Sequence, residues 1–225
     1  MNTNVSLPKA PKLIEQISKN MATFEVEELY PGYGLTLGNA LRRVMLSSLP
    51  GAALTSLKID GVLHEFSTLE GMKEDVITFI LNLKKVRLKL HTDEAQTITL
   101  SVKGVKKVTA ADIAGTGLVE VLNPEQYICE LTDKNANLSA EMKIEIGLGY
   151  LPKEAIQKDK VEIGVIALDA AFTPIRRVNY EVETMRVGDR TDYNRLKITI
   201  ETDGTLSPRS ALENAIEIMI HQLKA

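Results

Sequence analysis

The sequence predicts an α+β protein. Three stretches repeat apolar residues at helical spacing, most of the remainder alternates apolar and polar residues with period two, and Gly, Pro, Asn and Asp punctuate the runs. The 225 residues suffice for one large or two modest domains, and 44% hydrophobic with 25% charged residues is ordinary for a globular chain. A net charge of −3 argues against a wholly nucleic-acid-binding surface, and no apolar run is long enough to span a membrane. No signal-peptide pattern opens the chain. The single cysteine, Cys129, excludes an internal disulfide and fits a reducing compartment.

Residues 1 to 11 carry Pro8 and Pro11 without a period, so a loose arm is expected. Phe24 and Val26 alternate with Thr23, Glu25 and Glu27, which predicts a half-buried strand. The central stretch is 32 to 51. Gly32 and Gly34 give it a sharp start, Thr36 suits a helix N-cap, and Pro50-Gly51 stop the helix. Leu37, Leu41, Val44, Met45 and Ser48 fall on one face, with Asn39, Arg42, Arg43 and Leu46 opposite. The first face is a buried stripe. The second fits either a solvated side with one stray leucine or a protein interface, where guanidinium groups make forked hydrogen bonds.

An extended run over 54 to 59 ends at the Asp60-Gly61 turn. Residues 70 to 84 predict a second helix: Met72, Val76, Ile77, Ile80, Leu81 and Leu83 give a broad apolar face, and Glu70, Glu74 and Asp75 favour the dipole at its start. Lys84, Lys85, Arg87 and Lys89 read as a helix C-terminus followed by the solvent side of a strand. Further strands are expected around 86 to 90, 98 to 102, 118 to 122, 127 to 131 and 142 to 146. Residues 52 to 172 thus read as a mostly β unit carrying one helix.

After a loop over 147 to 160, alternation returns at Val161, Ile163 and Val165, at Val178, Tyr180 and Val182, and at Leu196, Ile198 and Ile200. A polar connection is expected over 186 to 192, and a hairpin-type turn at Asp203-Gly204. The last helix has Ser207 as N-cap and Pro208 at its first position. Leu212, Ala215, Ile216, Met219 and Leu223 form its stripe, widened by Ala211, Ile218 and Ile220. That is more apolar surface than one side of a small layer needs, so part can cover a sheet and part can meet the first helix or a second subunit.

No catalytic or metal set stands out. His64, His91 and His221 are isolated, and Cys129 sits in a strand pattern as a small apolar residue. Gly32-Tyr-Gly34 and Gly147-Leu-Gly149 are too short for a phosphate loop. No cofactor, metal or small-molecule substrate is expected, and a binding or assembly subunit is the stronger reading than an enzyme.

Thr36-Leu-Gly-Asn-Ala-Leu-Arg-Arg43 followed by Leu46-Ser-Ser-Leu-Pro-Gly51 resembles the signature of the bacterial RNA polymerase alpha-subunit family, in its N-terminal domain. Ile59-Asp-Gly-Val-Leu-His-Glu65, Leu81-Asn-Leu-Lys84, Val178-Asn-Tyr-Glu-Val182 and Arg190-Thr-Asp-Tyr193 follow in the family's order, so the resemblance covers essentially the whole chain. It implies a discontinuous dimerisation subdomain of antiparallel sheet and two long helices from residues 1–51 and 173–225, with a mainly β subdomain, 52–172, inserted. It implies a homodimer that gathers the beta and beta-prime catalytic subunits for transcription without an active site of its own; the nucleotidyltransferase chemistry lies in those subunits. A diverged, stand-alone dimeric interaction module is the alternative.

Carried over by position, Arg42, Arg43, Leu46, Ser47, His64, Glu65, Glu70 and Asp75 match the beta side. Lys84, Arg176, Arg177, Arg186, Arg190, Asp192 and Arg195 match the beta-prime side, and Leu37, Leu41, Leu212, Ile216, Met219 and Leu223 the dimer seam. The resemblance also implies a cytoplasmic, nucleoid-associated location, no membrane contact, and DNA contact only through the assembled polymerase. Family members usually continue into a DNA-binding domain; this sequence stops at Ala225, so no independent sequence-specific DNA binding is expected. Tyr30, Pro31, Leu148, Met185 and Asn194 depart from the family's usual residues.

Overall fold

A computed structural model describes residues 5–156 and 164–224. The chain divides into two compact units, one from the described residues up to Leu49 together with those from Thr173 onward, the other from Pro50 to Phe172. Both are antiparallel sheet with few helices, an α+β fold. In chain order, β1 (Lys12–Ser18), β2 (Met21–Leu29) and α1 (Tyr33–Ser48) come first. The second unit holds β3 (Pro50–Ile59), α2 (Val76–Leu83), β4 (Leu88–Leu90), β5 (Gln96–Lys103), β6 (Lys106–Thr109), β7 (Ile113–Ala114), β8 (Val119–Val121), β9 (Tyr127–Leu131), β10 (Asn137–Leu148), β11 (Tyr150–Leu151), the one-turn α3 (Lys153–Ile156), β12 (Val165–Ala167) and β13 (Ala170–Ala171). β14 (Ile175–Val187), β15 (Arg190–Thr202) and α4 (Pro208–Lys224) complete the first unit. No described helix is long and apolar enough to cross a membrane.

The first unit's sheet runs β1-β2-β15-β14. Phe24 faces Ile198, which faces Tyr180, while Ala22 faces Ile200, which faces Val178. Period two therefore puts one apolar row under α1 and α4, whose Leu41, Met45, Leu212 and Ala215 join it in the core. The other face carries Glu25, Lys197 and Glu181, then Thr23, Thr199 and Asn179. α4 starts as expected, the Ser210 amide donating to Ser207 Oγ at 3.1 Å.

The second unit is built on a sheet ordered β12-β3-β10-β5-β7 with three two-stranded pairs around it. Leu57, Phe79, Leu100, Ile128, Leu138 and Met142 are buried at its centre. Cys129 is among them, its thiol pushed up to about 12 by burial and then by the Glu74 and Asp112 charges, which suits packing rather than reactivity.

Several expectations need correction. α1 begins at Tyr33, before Thr36, and Gly32 precedes it at φ 87 without a side-chain cap of its own. Thr36 Oγ1 instead donates back to the Gly32 carbonyl at 3.3 Å. The cap is remote: Asn194 Oδ1 on β15 accepts from Gly32 N at 2.9 Å and Gly34 N at 3.2 Å. Asn194 is only 9% exposed, so Asn194→Leu should lower the unfolding free energy by about 2 kcal/mol, by orphaning two amides, whereas Asn194→Asp should retain most of it. Equal losses in urea titrations of the two variants would exclude a capping role.

α2 begins only at Val76; Met72 instead forms an isolated bridge to Leu131. Glu74 accepts from the Tyr127 hydroxyl and, at 2.9 Å, from Glu130 N, so it ties a loop to β9 rather than opening a helix. The stretch 186 to 192 is mostly hairpin, with β14 and β15 paired as far as Val187 and Arg190. Asp203-Gly204 leads into α4 and closes no hairpin. β1 has no counterpart among the expected strands. Of the 161–165 pattern, Val165 opens β12, while Val161 and Ile163 lie outside the described residues.

Candidate functional site

The outward face of α1 is set by where the helix can rest. An added Cβ at Gly34 would lie 2.7 Å from Val182, and one at Gly38 2.6 Å from Tyr180, so the glycine face lies directly on β14 and β15. Arg42, Arg43 and Ser47 are thereby turned outward and exposed. Arg42 Nε reaches the Val178 carbonyl of the edge strand β14 at 3.3 Å, and Ser47 Oγ donates to the Arg43 carbonyl at 2.8 Å. Leu46 does not share that face: it is half-buried against the unit's core. The stray leucine of the spacing argument is therefore a packing residue.

The dimer-seam residues separate by burial. Leu41 and Leu212 are 6% and 3% exposed within their own unit, and Leu37, Ile216 and Met219 are half-buried against its core. Beyond them the stripe of α4 runs into solvent, with Ile220 43% and Leu223 84% exposed. On β1, Leu13, Ile14 and Ile17 are exposed as well.

The arginines of β14 and β15 do different things. Arg176 is exposed, and Arg177 pairs with Glu201 at 3.0 Å. Arg186 Nε donates to the Gly188 carbonyl at 2.8 Å, inside its own turn. Arg195 lies among Glu25, Glu27 and Glu183 at 3.3 to 3.6 Å, on the sheet's polar face. Arg190 makes a two-pronged pair with Asp192 at 3.0 and 2.7 Å.

In the second unit, a groove of about 210 Å³ runs beside α2. Ile77, Ile80, Leu81, Phe66, Ile166 and Leu168 give it apolar walls. Lys153 pairs with Glu65 at 2.9 Å, and Lys84 stands 3.9 Å from Asp169. Glu65 and Lys84, expected on separate partner surfaces, thus line one groove. Leu63 and Phe66, 72% and 75% exposed, were missed by spacing arguments because a loop has no period. Their signal was two large apolar residues in a turn-rich stretch. Leu81 belonged to the broad apolar face of the expected helix, and its 54% exposure shows that this face exceeds what the core uses.

His64 is exposed with its Nδ1 3.1 Å from Ser67 Oγ, and Glu70 is exposed. Asp75 is the N-cap of α2, accepting from Thr78 N at 2.9 Å. The Thr78 hydroxyl and amide hold its carboxyl below the usual value of 3.8, against a smaller desolvation. A lowered folded value means the cap is intact above 3.8 and lost as pH falls through that lowered value, so the protection of the Thr78 amide, relative to its intrinsic exchange rate, should fall only in that acid range. Protection already lost at pH 6 would contradict the capping. Among the described residues, no three His, Cys, Asp or Glu side chains gather as metal ligands would.

A family model described as the RNA polymerase Rpb3/RpoA insert domain matches residues 57–173. The DNA-directed RNA polymerase subunit alpha of Roseiflexus castenholzii is 48% identical over 217 residues, 96% of this chain. That of a second Roseiflexus species is 47% identical over the same length. The chain spans 66% of the length of each relative.

Proposed function

Since the chain belongs to the family of DNA-directed RNA polymerase alpha subunits, we propose that it is a non-catalytic scaffold: two copies pair through the first unit, and the pair gathers the beta and beta-prime subunits. The observation that carries this reading is the apolar stripe of α4, which outruns its own core and ends on Ile220 and Leu223 in solvent. A single unit leaves that stripe wet; a second copy related by a twofold axis would cover it with the same stripe. The outward face of α1, with Arg42, Arg43 and Ser47, serves beta. The groove holding both Glu65 and Lys84 serves one large subunit rather than two. The β14–β15 hairpin serves beta-prime.

Light scattering on the purified chain at micromolar concentration tests the pairing: a mass of two chains is expected, and a mass of one would refute it. Arg43→Ala should weaken capture of beta by ~2 kcal/mol, roughly thirtyfold, and leave the dimer mass unchanged. Undiminished capture would remove the α1 face from the docking surface.

A further inference from the structure

The β14–β15 hairpin carries several arginines, and one of them is held unlike the rest. The Arg190 guanidinium lies 5.5 Å from the ring centre of Tyr30 and 5.3 Å from that of Tyr193. Asp192 fixes its plane through two hydrogen bonds of 3.0 and 2.7 Å. The two rings brace each other edge to face, with centres 6.1 Å apart, and Tyr33 braces Tyr30 in turn at 6.0 Å. Arg190 is nevertheless 50% exposed, and Asp192 engages only two of the five guanidinium donors. By contrast, Arg186 is turned into its own turn and Arg195 into a ring of carboxylates.

A free arginine loses rotamer freedom when it docks; one already held loses little, so more of each hydrogen bond reaches the affinity. Tyrosine and arginine are also the residues on which interfaces concentrate their energy. We propose that Tyr30 and Tyr193 are positioning residues that fix the Arg190 guanidinium for a carboxylate or carbonyl of beta-prime, an inference that rests on the scaffold reading above. Neither tyrosine was picked out by the spacing of charges, since their partnership with Arg190 exists only where the start of α1 meets β15.

The test is a double-mutant cycle on the whole dimeric chain, reading beta-prime capture in the presence of beta. Arg190→Ala should weaken capture about tenfold, and Tyr30→Leu or Tyr193→Leu about three- to tenfold, whereas Tyr193→Phe keeps the ring and should bind as the parent does. In the Arg190→Ala background, Tyr193→Leu should cost nothing further, which a general loss of structure would not reproduce. If Arg190→Ala weakens capture while the tyrosine variants do not, or their effects simply add, the positioning role is wrong and the scaffold reading stands. If Arg190→Ala leaves capture unchanged, the hairpin is not a docking surface, and both the positioning role and that part of the scaffold reading fall.

Discussion

Gly38→Val is expected to destabilise the chain by about 3 kcal/mol or more, with a lower urea midpoint, because it forces α1 off its sheet. A Cβ at this position would sit 2.6 Å from Tyr180 Cδ2 and 2.9 Å from Leu196 Cδ1. Leu196 is 1% exposed and has nowhere to retreat. Helix propensity acts in the opposite direction, since glycine costs about 1 kcal/mol relative to alanine inside a helix. The overlap prevails: relieving it means lifting α1, which also loosens Leu41 and Met45 in the core. Gly38→Ala should fall between parent and valine variant. A valine variant as stable as the parent would mean that α1 does not rest on β14 and β15 as described.

Ile220→Asp with Leu223→Asp should abolish pairing while sparing the fold. Both residues stand in solvent in the single chain, at 43% and 84% exposure, and exposed substitutions usually change stability by less than about 0.5 kcal/mol. At a twofold seam the same change buries two carboxylates per chain near their own copies. The expected loss is ~3 kcal/mol or more, a dissociation constant raised at least about a hundredfold. Light scattering would then give one chain's mass, with an unchanged far-UV circular dichroism spectrum and a melt that stays cooperative but falls by the stabilisation that pairing had added. A persistent dimer would place the pairing surface elsewhere, with the exposed Leu13, Ile14 and Ile17 of β1 as the next candidates.

Legibility in the sequence tracked the range of the interaction. The start of α4 was readable because Ser207 and Pro208 act within one helical turn. β5 was readable because buried Ile98, Leu100 and Val102 alternate with exposed Thr97, Thr99 and Ser101 over a half-buried ladder. The start of α2 was misread because Glu74, an ordinary first-turn acid by position, bonds to Tyr127 and Glu130 on a distant strand. β1 was missed because all seven of its residues are exposed, so no buried face imposes a period.

For the opening helix, residue spacing alone places 33 to 48 in a helix, turns Leu41 and Met45 inward and sets Arg42 and Arg43 outward. Periodicity is enough for that, since side-chain direction follows residue number. Packing between elements is what turns Leu46 inward, makes Asn194 the cap from 162 residues beyond Gly32, and sets Glu65 and Lys84 in one groove. These depend on how separate elements are brought together in space, and spacing along the chain does not encode that.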